Sequence, residues 1–432
     1  MKQKTLSLIK KIKSTEIFNG ITWTIIGSGT SRILILLGTL ISSNILGVEK
    51  FGEFSMTRST INVILVIAGL NLGVVLTKDI AKYKDSDTLK CSRLITLNYF
   101  AILTITLILS LFLFISSSYI SANFFNNLEF SIQFKLSSAI ILFSIIFSLN
   151  ESIYRGLGLY KKLGKLQIIS SFAFLIFVPL GSFIYNVNGA ILGYLIYSVL
   201  MVLITVYDLT VFSKKSNFIF FNFNNLRSEL KEIKEVTLPI FFSSILEAPV
   251  FWLAQVILIK YSGMASNGVA SALLQTRNLI LIVPGYVSLV ALPILSKNLK
   301  NKKEYNQNFK LALKINVLIS VICILPLLVF PTFFLKIYGE GFDENYKYLD
   351  SFLAYISIPV VVISNVYQQS IVANNKGWNS LIISIIWNAV LLITTYIFCK
   401  NLGLGVTGYM LSLLLTIILQ LILRWVYERK FI

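Results

Sequence analysis

Apolar runs close to twenty residues long recur from one end of this sequence to the other, separated only by short polar segments. A helix of about 20 residues crosses the hydrocarbon core of a bilayer, so each run is long enough to span one. Of the 432 residues, 56% are hydrophobic and only 13% charged, against roughly 25% charged in soluble domains. The chain is therefore expected to be an all-α polytopic membrane protein.

Twelve spans are expected, at approximately 20–46, 53–77, 92–116, 133–154, 166–185, 189–213, 236–259, 268–295, 311–332, 350–373, 378–399 and 404–426. Charge separates the loops into two sets. The N-terminal segment, the even-numbered loops and the C-terminus hold 29 of the 38 lysines and arginines, and the odd-numbered loops only six. Cytoplasmic loops collect Lys and Arg, so both termini are placed in the cytoplasm of a bacterial inner membrane. Residues 214–235, "KKSNFIFFNFNNLRSELKEIKE", form an interfacial linker between a six-helix bundle at 1–213 and another at 236–432.

The net charge of +19 is dispersed among these loops and builds no basic domain, so nucleic acid is not an expected partner. Cys91, Cys323 and Cys399 have no metal or redox spacing, and there is no histidine. Imidazole catalysis and His metal sites are thereby excluded. No GxxxxGK phosphate loop is present either, so the chain is not a P-loop ATPase. Neither an enzymatic activity nor a cofactor is expected.

An internal repeat relates the two halves. "TRSTINVILVIAGLNLGVVLTK", which contains Arg58, aligns with "TRNLILIVPGYVSLVALPILSK", which contains Arg277; "GAILGYLIYSVL" (189–200) similarly matches "GVTGYMLSLLL" (405–415). Six spans per half give both halves one orientation, hence a parallel pseudo-two-fold repeat.

The three remaining cations, Arg32, Arg58 and Arg277, fall inside spans 1, 2 and 8. Each guanidinium costs roughly 2.5–3.5 kcal/mol near the bilayer centre on insertion scales. One carboxylate, Glu247, lies well inside a span, as either a coupling group or a salt-bridge partner, with Arg32 its expected partner. Two positive charges are then in excess. A water-filled cavity receiving an anion accounts for them, because an arginine fork matches phosphate oxygens and a diphosphate carries about two negative charges. Asn71, Gln255, Gln275 and Asn388 could contact a glycan in that cavity, or could equally be interhelical hydrogen-bonding groups.

The stretch "SGTSRILILLGTLISSNILGVEKFGEFSMTR", with its ILG–x–x–x–FG turn, and the "NGAILGY" turn resemble the Wzx-type polysaccharide flippases. These belong to the multidrug/oligosaccharidyl-lipid/polysaccharide exporter superfamily, whose lipid II flippase carries cavity arginines on helices 1, 2 and 8. The resemblance implies that Arg32, Arg58 and Arg277 form the substrate site. It also implies a polyprenyl-diphosphate-linked glycan as substrate, the O-antigen or capsule repeat-unit branch, and polysaccharide polymerase and chain-length machinery as candidate partners. Transport would proceed by alternating access, driven by the membrane potential, H+ or Na+. A multidrug/cation antiporter of the same superfamily would call for an acidic cavity. A membrane-embedded glycan polymerase would call for catalytic carboxylates or large outer loops.

Overall fold

The computed structural model describes residues 16–69, 73–125, 127–216, 218–224, 226, 245–297, 301–344, 346–374 and 377–431. The N-terminal lysines, Asn71, most of the linker and the first half of span 7 lie outside them. The described residues are almost entirely helical: α1 (Glu16–Ala68), α2 (Gly73–Tyr83), α3 (Thr88–Phe125), α4 (Phe130–Leu157), α5 (Tyr160–Ser216), α6 (Glu247–Lys297), α7 (Lys302–Val329), α8 (Pro331–Lys336), α9 (Tyr348–Ala373), α10 (Gly377–Tyr396, ending in a π turn at Ile397–Asn401) and α11 (Gly405–Phe431).

Nine helices among the described residues are long and apolar enough to cross a membrane, and the chain is a multi-pass membrane protein. Nine stand where twelve separate spans were expected because three pairs run on across a break of one or two residues. The breaks lie at Gly47 in α1, Tyr185–Asn186 in α5 and Gly263 in α6, in the turns expected between spans 1 and 2, 5 and 6, and 7 and 8. Gly47 (φ 73°, ψ 172°) and Gly263 (φ 82°, ψ 171°) share one backbone conformation. It is open only to glycine without steric penalty, so the same local device turns the chain in each half.

The chain forms two compact units, Met1–Leu46 with Thr57–Ile245, and Gly47–Met56 with Leu246–Ile432. In the first, α4 is central and packs against α2, α3 and α5; in the second, α9 is central and packs against α6, α7 and α11. These are the fourth helices of their respective halves, as a repeat requires.

Close helix contact in the first unit depends on small residues. The stripe Gly27, Ser31, Leu34 and Gly38 of α1 is buried. It meets Gly164, Ser171 and Phe174 of α5, with the Ser31 and Ser171 hydroxyls hydrogen-bonded to each other. Small side chains let helix backbones approach in a membrane, where van der Waals packing and hydrogen bonds drive association. The aromatic run after α5 folds onto α3. Phe221 meets Tyr99 (5.3 Å) and Phe100 (5.8 Å), and the Asn222 backbone N–H donates to Thr96 Oγ1 at 2.8 Å.

The segment 47–56 explains the Phe–Gly signature in the second unit. Phe51 is fully buried against Tyr338 and Phe342, at ring distances of 6.0 and 5.6 Å. The Asn267 amide donates to the Gly52 carbonyl at 2.8 Å. A side chain on Gly52 would overlap the Met264 carbonyl, and one on Gly268 the Val48 carbonyl. The motif is a helix crossing at which neither partner can carry a Cβ.

Candidate functional site

The expected site residues divide between the units. Arg32 and Arg58 belong to the first, while Glu247, Gln255, Arg277 and Gln275 of α6 and Asn388 of α10 belong to the second.

Arg32 is exposed and makes no hydrogen bond or ion pair within the described residues. Its surroundings follow from helical geometry. The exposed apolar stripe of α1 is Ile26, Ile33, Leu37, Ile41 and Ile45. At 3.6 residues per turn that stripe is centred roughly 150° around the helix from Arg32. The buried stripe against α5 lies on a third side. Arg32 shares its own face with Ser28, Gly29, Thr39 and Ser43, which are small or polar. The guanidinium is thus directed away from the surface suited to acyl chains.

Thr39 stands seven residues after Arg32, two turns further along that face, or about 10 Å. There Arg58 arrives from beyond the Gly47 break, its Nη1 donating to Thr39 Oγ1 at 3.3 Å. The half-buried Arg58 guanidinium lies 5.7 Å from the ring centre of Phe174 and 6.0 Å from that of Tyr194. Cation–π contact of this kind stabilises a partly desolvated cation by about 0.5–2 kcal/mol. Two of the three expected arginines are therefore aligned on one polar face. Below them Ser28 donates to Gln167 Oε1 at 3.2 Å, Gln167 donates to Glu151, and Glu151 pairs with Arg155 at 3.2 Å.

Arg277 is 7% exposed. Its Nε donates to Ser357 Oγ of α9 at 2.8 Å, and no carboxylate lies within ion-pair distance among the described residues. Next to it, Thr276 shares a hydrogen bond of 3.3 Å with the Tyr338 hydroxyl. Burial pushes the Tyr338 phenol, in the loop after α8, up to about 12 despite that bond.

One intramembrane cation escaped the sequence reading. Arg424, counted with the cytoplasmic charges, is buried at 6% exposure within α11. Its Nη1 donates to the Ser364 carbonyl (3.1 Å) and hydroxyl (2.7 Å). With the Gln420 amide turned to satisfy both its atoms, the Gln420 oxygen accepts from Arg424 Nη2 (3.1 Å) and from Trp387 Nε1 (2.7 Å). Arg424 also acts electrostatically on Glu247, the first residue of α6. Glu247 thus has a cation to offset it within its own unit, and the excess held by Arg32, Arg58 and Arg277 is three charges rather than two. The clue was available, since position 424 falls inside the limits expected for span 12.

Asn388 is 4% exposed, and neither amide atom has a hydrogen-bond partner; Gln255 Oε1 and Gln275 Oε1 are buried without one. Interhelical bonding within the described residues therefore does not account for these atoms. Asn71 lies outside the described residues. Also among them, no group of three or more His, Cys, Asp or Glu could hold a metal ion.

Residues 17–299 match the family described as polysaccharide biosynthesis protein. The chain belongs to that family. A comparison with curated proteins gives no match. Solved structures with the same fold include an inward-facing multidrug resistance MATE family transporter of the MOP superfamily (TM-score 0.79, 16% identity, covering 94% of this chain and 97% of that one). Another is the lipid II flippase MurJ in an inward closed conformation (TM-score 0.72, 17% identity, 95% and 88% covered). A third is a MOP superfamily transporter from Pyrococcus furiosus, described as having reverse polarity of its binding pocket (TM-score 0.66, 17% identity, 96% and 94% covered). At these identities the likeness establishes the transporter fold of the superfamily.

Proposed function

We propose that this member of the polysaccharide biosynthesis family is a flippase. It would carry polyprenyl-diphosphate-linked oligosaccharide units from the cytoplasmic to the outer leaflet of a bacterial inner membrane by alternating access, with both termini cytoplasmic. The observation that carries this reading is the line formed by Arg32 and Arg58 on the polar face of α1, opposite its exposed apolar stripe. An organic cation would be repelled there, whereas a diphosphate would be bound by charge-assisted hydrogen bonds. Arg277 supplies the third cation from the second unit, where Gln255, Gln275 and Asn388 offer unpartnered amides for glycan hydroxyls.

The charge count also supports a driving force. A bound diphosphate lowers the positive excess from three charges to about one, so the loaded and empty carriers differ by about two. An inside-negative potential acts with about 2.3 kcal/mol per full charge per 100 mV. Moving these charges through part of the field would favour the inward return of the empty carrier by about 1–2 kcal/mol.

The test is to change Arg32, Arg58 and Arg277 singly to Ala and to Lys, confirm insertion, and measure lipid-linked glycan reaching the outer leaflet. Ala is expected to abolish transport and Lys to restore it partly, since a lysine keeps the charge without the bidentate fork. Normal transport in all three Ala variants would refute the proposal.

A further inference from the structure

Arg58 is held against a small aromatic surface whose composition exceeds what a phosphate site needs. Phe174 is 1% exposed and meets Tyr194 edge-on at 5.7 Å (74°) and Tyr197 at 5.3 Å (89°). Gly38 of α1 lies directly against the Phe174 ring, where a larger residue would crowd it. Phe174 is thus the fixed base of the group. Tyr194 and Tyr197 stand three residues apart on one face of α5, their rings 5.9 Å apart and inclined at 33°. Both are half-buried, and neither hydroxyl hydrogen-bonds within the described residues.

A phenol placed inside a membrane protein normally finds a partner for its hydroxyl, because leaving it unmatched in an apolar setting is costly. Two adjacent phenols with free hydroxyls and partly open faces, beside a cation, make a surface with three distinct chemistries. The ring faces suit the C–H face of a pyranose, the hydroxyls suit its rim of OH groups, and the guanidinium suits an adjacent phosphate. Ligand sites combine apolar and aromatic walls with a few placed polar groups in this way. The spacing fits as well: Arg32 lies about 10 Å away along the same helix face, room for a phosphate followed by a sugar ring.

Resting on the flippase reading, we infer that Tyr194 and Tyr197, with Arg58 at their edge, seat the first sugar attached to the diphosphate and determine specificity for a glycosylated over a bare lipid. Arg32 and Arg58 bracket the sugar–diphosphate junction, and the two tyrosines read the sugar.

The test compares binding of two ligands to the full-length protein in nanodiscs: the host cell's own lipid-linked glycan and bare polyprenyl diphosphate. The unmodified protein is expected to favour the glycosylated lipid by about tenfold, the scale of one aromatic contact with a hydrogen bond. Y194A/Y197A should bring that ratio to within about twofold of unity, with bare-lipid affinity unchanged. Y194F/Y197F keeps the packing, so it can be measured even where the alanine variant does not fold, and should lower the ratio about threefold. A ratio unchanged in the variants that fold, or a ratio of one in the unmodified protein, overturns the inference and leaves the flippase reading standing. Failure of the unmodified protein to bind either lipid removes the flippase reading, and this inference with it.

Discussion

Arg277 offers a test in which stability and function should move in opposite directions. Its guanidinium is almost fully buried, has Ser357 Oγ as its hydrogen-bond acceptor at 2.8 Å, and faces no carboxylate within ion-pair distance among the described residues. Desolvating such a cation costs several kcal/mol after relaxation. One hydrogen bond to a charged donor returns about 1.5–3 kcal/mol. Arg277→Leu removes both terms, and the net prediction is a change between zero and about 3 kcal/mol in favour of the folded protein. The melting temperature in detergent should therefore hold or rise by a few degrees. Binding should do the opposite. A charge-assisted contact to a phosphate oxygen is worth about 1.5–3 kcal/mol, so polyprenyl diphosphate should bind roughly 10- to 150-fold more weakly. Arg277→Lys should fall between the two in affinity, because it keeps the charge and loses the fork. Thermal unfolding and ligand titration on one preparation decide the matter. A leucine variant that melts several degrees lower while binding the lipid normally would show that Arg277 is a structural residue, and the argument from unbalanced charge would fail at that position.

Further predictions follow from the packing. Arg424→Leu should behave in the reverse sense, losing about 2–4 kcal/mol of stability, since it strands acceptors on Ser364 and Gln420 and leaves Glu247 without its offsetting cation; an unaltered melting temperature would contradict the network. Gly52→Ala and Gly268→Ala should each destabilise by about 1–3 kcal/mol through backbone overlap. Because both open the same crossing, the double variant should cost less than the sum, which a double-mutant cycle on melting temperatures can measure. If the potential resets the empty carrier, vesicles depolarised with an ionophore should flip lipid about five- to thirtyfold more slowly, the rate equivalent of 1–2 kcal/mol; equal rates would exclude that role.

The class of fold could be read from the sequence because it rests on one-dimensional quantities, namely run length and the side on which lysines gather. The helix breaks were legible for the same reason, since Gly47, Asn186 and Gly263 all stand in polar turns between apolar runs. The Phe–Gly signature was visible as a pattern, but its cause was not. Gly52 is required by the carbonyl of Met264, more than two hundred residues away, and no local rule anticipates such a contact.

The candidate site was half legible for a related reason. Three arginines inside apolar runs stand out at any reading, because each breaks the local composition. Arg424 did not stand out, since it lies near a basic C-terminus where cations are ordinary; only burial against Ser364 and Gln420 separates it from Arg429 and Lys430. Tyr194 and Tyr197 were hidden for the opposite reason. Tyrosines are common in this chain, twenty in all, and nothing in their spacing distinguishes a packed ring from one that faces an opening. Their significance appears only when the second rod of α1 brings Arg58 onto Phe174. Charge out of place can thus be recognised from a sequence alone, whereas the neutral groups that give a charged site its specificity become visible only through the packing that collects them.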